Sequence, residues 1–170
     1  TMYADESDQR IVNGEAFGGG DGTAPVPTGG RHHGERWWTG DDIADFWAGT
    51  SLPQEIQTRA IKAGALFPFT KKAKLYRCPT GVRGEMRTYT IVDAMNGIPR
   101  TGTESGMRGA KNGRTVLWIK KTTDISVPGP TRRIVFLDEG RITPDSYATH
   151  YVNDRWWDPP FVRHGDGTNV

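Results

Sequence analysis

The distribution of glycine limits what this chain can fold into more than any other feature. Eight of the 22 glycines fall between Gly14 and Gly34, together with Pro25 and Pro27. A stretch of this composition offers too little apolar surface to offset the entropy that a helix or strand would cost. It predicts a Gly-rich loop over 14–40 and leaves regular structure to the rest of the chain.

The remaining composition predicts a single loop-rich domain, 1–170, with an aromatic core. Only 35% of the residues are hydrophobic, but they include six Trp, six Phe and five Tyr, which bury a large area per side chain. The 22 basic and 20 acidic residues are interspersed, which argues against a nucleic-acid partner. The most basic stretch is interpreted as a solvated turn; it contains Lys71, Lys72, Lys74 and Arg77.

Helix signals occur in the first half of the chain. Residues 1–8 resemble the last turns of a helix, because they have no start signal and run into polar residues. In 41–79 we expect short helices. Asp41 and Asp42 precede apolar residues at helical spacing, which predicts a helix over 41–48. Pro53 and Gly64 bracket a second helix, Gln54 to Ala63.

Strand signals follow Cys78-Pro79. Apolar and polar residues alternate over 87–92, and 115–119 and 133–137 are similar. The stretch 96–114 is rich in Gly and polar residues and predicts a long connection. Helices followed by an antiparallel sheet with loops over 86–170 define an α+β fold.

Cys78 is the one cysteine, so a disulfide within 1–170 and a zinc site built on several thiolates are excluded. As a nucleophile it would need a neighbouring histidine. No sequence signature places one beside it; the histidines are His32, His33, His150 and His164. The alternative interpretation is a buried thiol.

Four acidic residues are candidates for a Ca²⁺ site, because Ca²⁺ takes oxygen ligands. They are Asp138, Glu139, Asp154 and Asp158. The alternative is hydrogen bonding of these carboxylates to loop amides or to arginines. Carboxylates among aromatic residues are also typical of glycosidases, so a hydrolase is a further hypothesis. No other cofactor is predicted, since the glycines of 18–22 lack the Lys-Ser/Thr of a phosphate-binding loop.

Two pairs of adjacent tryptophans predict a surface contact. If only one ring of Trp37-Trp38, or of Trp156-Trp157, faces inward, the other is left for a partner. Subunit contacts explain such a pair. A carbohydrate- or surface-binding module with exposed Trp is the alternative.

Several motifs, taken in order, resemble the type IV pilin-like and type II secretion pseudopilin-like proteins, in particular a planctomycete-like prepilin-type family with a C-terminal His and Asp-Gly signature. They are Met2-Tyr3-Ala4-Asp5, Arg10 to Glu15, Gly64 to Phe69, Tyr76-Arg77-Cys78-Pro79, Arg87-Thr88-Tyr89, Val135 to Glu139, Trp157-Asp158-Pro159-Pro160 and Arg163-His164-Gly165. The match spans nearly the whole chain. It implies a non-catalytic structural head, with 1–8 as the end of a longer N-terminal helix.

The resemblance also implies partners and a location. The partners are copies of the chain or other pilin-like subunits in a filament, and the inner membrane through a helix upstream of Thr1. The location is extracytoplasmic, in the periplasm or at the cell surface. Cys78 would bridge to an upstream cysteine, and related pseudopilins bind Ca²⁺ in their C-terminal region. The Asp-Gly that completes the signature begun by His164 would fall beyond Val170, so the resemblance implies truncation at both ends.

Overall fold

The computed structural model of the chain describes residues 2–14, 35–40, 44–45, 50–97, 111–138, 146–150 and 155–158. Its helices and strands are short. The α-helices are α1 Met2–Glu6, α2 Gln54–Ala63 and α3 Phe67–Thr70, and 3₁₀ turns cover Ala73–Tyr76, Thr122–Asp124 and Pro130–Arg132. The strands are β1 Ala44–Asp45, β2 Thr50–Ser51, β3 Tyr89–Ile91, β4 Lys111–Asn112, β5 Thr115–Val116, β6 Phe136–Asp138, β7 Ala148–His150 and β8 Arg155–Asp158.

Helix α2 begins and ends where the sequence predicts. Pro53 is its N-cap, where a missing N–H costs nothing, and Gly64 is its C-cap. Gly64 has a φ of −71°, so the left-handed conformation is not what requires a glycine here. A Cβ at this position would lie 2.3 Å from the carbonyl oxygen of Trp38. Glycine is therefore needed because the backbone of 38–39 passes directly over the helix end.

The strands form four antiparallel pairs, β1–β2, β3–β6, β4–β5 and β7–β8. In the pair that matters for the site, Tyr89 lies opposite Asp138 and Ile91 opposite Phe136. The α+β, loop-rich class is confirmed, although in the described ranges the strands pair two by two instead of forming one broad sheet. Isolated parallel bridges link the pairs further, Val92 to Tyr147 and Met95 to Ile119.

Segment 9–14 joins distant parts of the chain. Ile11 N–H donates to the Lys120 carbonyl at 2.8 Å, and Gln9 accepts from Thr122 N–H at 2.9 Å. Farther along, Gly14 N–H donates to Met95 at 2.7 Å, and Asn13 accepts from Trp38 N–H at 2.9 Å. Around this segment lies the core, whose fully buried members include Trp38, Ile61, Ile91, Met95 and Ile119.

Helix α1 docks through one face. Ala4 is buried, and the Tyr3 ring packs edge-on against Phe69 of α3 with centroids 5.5 Å apart. Beyond the helix, the Lys121 ammonium lies 2.8 Å from the Asp8 carboxylate. Residues 1–8 were predicted to end a helix, and Met2–Glu6 is helical. Met2 is 66% exposed, and Ala4 takes the inward position.

Two local predictions are wrong. Ala44–Asp45, inside the helix predicted over 41–48, pair as a strand with Thr50–Ser51. The apolar spacing there spanned barely two turns, too short to decide between helix and strand because a helix nucleus is costly. Lys111–Asn112, inside the connection predicted over 96–114, form a tight hairpin with β5 through Gly113, whose φ is +56°.

The Gly-rich stretch 14–40 lies mostly outside the described residues. Its described ends are buried, at Gly14 and at Trp37–Gly40. Over the described ranges, the structure contains no helix with the length and apolar character that crossing a membrane requires.

Candidate functional site

An apolar groove opens between α3, the 3₁₀ turn Ala73–Tyr76 and the β3–β6 pair. Its volume is about 430 Å³. The lining residues are Trp38, Leu66, Thr70, Leu75, Tyr76, Tyr89, Phe136, Leu137 and Asp138. Two of them stand out from the surface, because Leu75 is 55% exposed and Phe136 is 43% exposed. Large apolar side chains exposed side by side around a concavity are typical of a binding surface.

Trp38 is the rigid base of this groove. Its ring stacks on Tyr76 at a centroid distance of 6.1 Å and an angle of 17°, and meets Phe136 edge-on at 5.5 Å. The guanidinium carbon of Arg87, a fully buried side chain, lies 5.2 Å from the centre of the Trp38 ring. A cation over an indole face is electrostatically attracted to the ring. These contacts hold Trp38 in one orientation.

The two tyrosines of the groove have raised pKa values. Burial raises the pKa of the Tyr76 phenol, and its hydrogen bond with Thr70 Oγ1, 3.2 Å long, partly opposes that rise. Partial burial, followed by the negative charge of Asp138, raises the pKa of Tyr89. Both phenols therefore stay neutral at physiological pH and act as hydrogen-bonding groups beside apolar surface.

A polar chain runs along one side of the groove. Thr88 Oγ1 accepts from the Cys78 N–H at 2.6 Å and donates to Asp138 Oδ1 at 3.5 Å. Cys78 is a half-buried free thiol whose Sγ lies 3.2 Å from Thr80 Oγ1. Asp138 thus helps to attach β6 to the turn that carries Cys78.

Three lysines are next to lining residues of the groove in the sequence. Lys71 directly follows Thr70, Lys74 directly precedes Leu75, and both are exposed together with Lys72. The prediction of a solvated basic turn is confirmed for these three lysines. Arg77, at the end of this stretch, is half-buried and donates to the Gly81 carbonyl at 3.3 Å. The segment 71–74, which connects the lining residues Thr70 and Leu75, is therefore positively charged, and the groove lining contains one carboxylate, Asp138.

The predicted acidic cluster is only partly described. Asp138 lines the groove, and Asp158 belongs to β8, in a different strand pair. Glu139 and Asp154 lie outside the described residues, as do three of the histidines; His150 belongs to β7. Among the described side chains, no three His, Cys, Asp or Glu residues come together as a metal would require. The calcium and glycosidase hypotheses stay predictions.

The tryptophan prediction is wrong for the first pair. Trp37 is 3% exposed and Trp38 1%, so neither ring is left on the surface. Trp37 forms an isolated bridge with Asn13, and the backbone then bends at 38–39, where it passes over the end of α2. Side chains of the second pair, in β8, lie outside what the structure describes.

Sequence reasoning missed the groove. The one available signal was Leu75, an apolar residue between Lys74 and Tyr76 in a stretch interpreted as solvated. Several residues that line the groove with Leu75 come from distant segments, around Trp38, Tyr89 and Phe136. Hydrophobic periodicity within one segment does not indicate which distant segments will pack beside it.

No family model, curated protein or solved structure matches this chain. The fold and the groove define a small α+β domain with an aromatic-based, lysine-edged apolar groove.

Proposed function

We propose that this chain is the non-catalytic head of a pilin-like filament subunit, displayed outside the inner membrane and assembled with copies of itself or with related subunits. The docking of α1 carries this proposal. A helix of five residues is far below the roughly 12–15 residues that give even marginal helicity alone. It is held by Ala4, which is buried, and by the contact of Tyr3 with Phe69. A short helix that depends on tertiary contacts in this way is what we expect at the lower end of a longer helix.

The placement of the resembling motifs supports the same proposal. Tyr3 of the first motif packs on Phe69 of the Gly64–Phe69 motif. Thr88 of a third motif bonds the backbone of Cys78 and the side chain of Asp138, which belong to two others. Two of the motifs quoted for the resemblance are therefore in contact with each other, and three others are joined through Thr88. Motifs that pack together support a shared fold more strongly than isolated matches.

The test is the product of the intact gene, expressed in a host with a prepilin peptidase and examined by electron microscopy for surface filaments. We expect filaments labelled by an antibody against residues 54–97. We also expect an upstream apolar helix preceded by Gly, and a cysteine near its end that is disulfide-bonded to Cys78, which intact mass with and without reductant detects. A conventional signal peptide and a monomeric secreted product would contradict the proposal.

A second candidate, a carbohydrate- or surface-binding module, is favoured by the aromatic walls of the groove. Against it, Trp38 is 1% exposed and offers no open face for a sugar ring. The polar side chains of the groove lining are few: Thr70, Tyr76, Tyr89 and Asp138, apart from the buried indole of Trp38. Titration with oligosaccharide mixtures, followed by NMR, distinguishes the two: shifts confined to groove residues would favour this module over the filament head.

A further inference from the structure

The outer face of α1 combines an apolar residue with acids. Met2, Asp5 and Glu6 occupy positions i, i+3 and i+4, which share one face of a helix. All three are exposed, Met2 at 66%. The inner face, with Ala4, is already committed to the molecule's own core. The Asp5 carboxylate already accepts from Gln9 Nε2 of the same chain at 3.3 Å, so Met2 and Glu6 are the side chains of this face that a partner would meet.

The groove is complementary to this face both in apolar surface and in charge. Leu75 and Phe136 present apolar surface at its opening. The lysines at 71, 72 and 74 give one edge a positive charge. An occupant that suits it has an apolar side chain for the cavity and carboxylates one helical turn away for the lysines. Among the described residues, the exposed face of α1 has this chemistry.

We propose that the outer face of α1 in one copy docks in the groove of the next copy, with Met2 between Leu75 and Phe136 and Glu6 beside the lysines. This inference rests on the proposed function and specifies one subunit contact within it. The two surfaces are different patches of the same chain, so the contact is heterologous. Heterologous contacts leave one unused patch at each end and propagate, whereas a two-fold contact closes.

The contact is small, and a small interface is weak in isolation. We expect isolated chains to associate with a dissociation constant on the order of 0.1–1 mM. In an array held by other contacts, each copy meets its neighbour at a high effective concentration, so the same weak contact is well occupied. Because its polar part is exposed and ionic, added salt should weaken it.

Photo-crosslinking of the 170-residue chain tests the contact. p-Benzoylphenylalanine replaces Leu75 in unlabelled protein, which is mixed with ¹⁵N-labelled protein that lacks the crosslinker. We expect crosslinks to the labelled tryptic peptide of residues 1–10. The crosslinker placed instead at Lys62, an exposed α2 position outside the groove, should give none to that peptide. Crosslinks from position 75 to other labelled peptides, or equal yields from both positions, would overturn the docking.

Charge variants supply a second measurement. Glu6→Lys in the labelled copy should reduce the crosslink yield at least fivefold when the yield is summed over the tryptic peptides 1–6 and 7–10 that the new lysine creates. Glu55→Lys, the same change on α2, should leave the yield to residues 1–10 unchanged. Lys71→Glu, Lys72→Glu and Lys74→Glu together in the copy with the crosslinker should restore the yield with Glu6→Lys. All these residues are exposed, so the variants are expected to fold, which circular dichroism checks. Equal crosslink yields with Glu6→Lys and Glu55→Lys would refute the proposed pairing of Glu6 with the lysines of the groove.

The failures of the two proposals are distinguishable. Filaments of the intact gene product that persist with Met2→Asp and Glu6→Lys would overturn the docking and leave the filament head standing. Crosslinks to residues 1–10 from an intact product that forms no filaments would support the docking and contradict the filament.

Discussion

Replacing Gln57 by Ala should destabilise the domain by about 3 kcal/mol. Gln57 is fully buried on α2. Its Nε2 donates to the Leu52 carbonyl at 2.5 Å and the Gly84 carbonyl at 3.2 Å, and its Oε1 accepts from Met86 N–H at 2.8 Å. Each bond contributes roughly 1 kcal/mol net, and truncation leaves all three backbone partners unsatisfied. At roughly 2–4 °C per kcal/mol for a chain of this size, Tm should fall by about 6–12 °C.

Thermal unfolding followed by circular dichroism measures this. Gln54→Ala is the matched control, since Gln54 is exposed on the same helix and a surface change of this kind usually stays within about 0.5 kcal/mol. Gln57→Glu gives a pH-dependent check. It replaces the donor by a carboxyl facing two carbonyls, which raises the folded-state pKa. Its stability is then retained below the unfolded pKa of about 4.3 and lost as pH rises through the folded pKa. Equal Tm values for Gln57→Ala and Gln54→Ala would refute the reasoning.

Three further predictions concern the α2 end, the α1 end and the groove. Gly64→Ala places a Cβ against backbone atoms of 38–39 and should cost about 3 kcal/mol in denaturant unfolding, while Gly129→Ala, with open space around it, should be nearly neutral. The hydrogen bond and charge of Lys121 lower the pKa of Asp8, so the pairing stabilises above the ordinary Asp pKa and is lost as pH falls through the folded value. Lys121→Met should return the Asp8 pKa to its ordinary range in an NMR titration, and an unchanged pKa would show that the pair does not persist in solution. Asp138→Asn should lower the pKa of Tyr89 in an ultraviolet titration with Tyr89→Phe as reference; a pKa that stays fixed would mean that the charge of Asp138 does not contribute to it.

Local signals predicted the parts of the fold that local physics controls. Helix α2 carries its own start and stop signals, and its bounds matched. The strand around Tyr89–Ile91 followed from alternation of apolar and polar residues. Sequence reasoning failed where a distant partner decides the outcome. Ala44–Asp45 pair with β2 against a helical spacing, and Gln57 is buried because the turn at 84–86 supplies its hydrogen-bonding partners.

The candidate site was harder to predict for the same reason. Asp138 and Cys78 were singled out individually, and they do lie near each other through Thr88. The groove itself depends on α3, the 3₁₀ turn and β6 meeting over Trp38, a set of non-local contacts without a sequence signature. Trp37 and Trp38 show the limit most clearly, since one ring was expected on the surface and both are buried.

The way segment 9–14 is held determines how the domain responds to a pulling force at its N-terminal end. Tension applied through α1 reaches first the backbone bonds of Gln9 and Ile11 to the 120–122 segment, and then those of Asn13 and Gly14 to Trp38 and Met95. These partners come from separate parts of the chain, so the load is distributed across the core instead of peeling one hairpin. Extraction of this segment should therefore be the step that limits rupture in single-molecule stretching from the N-terminus.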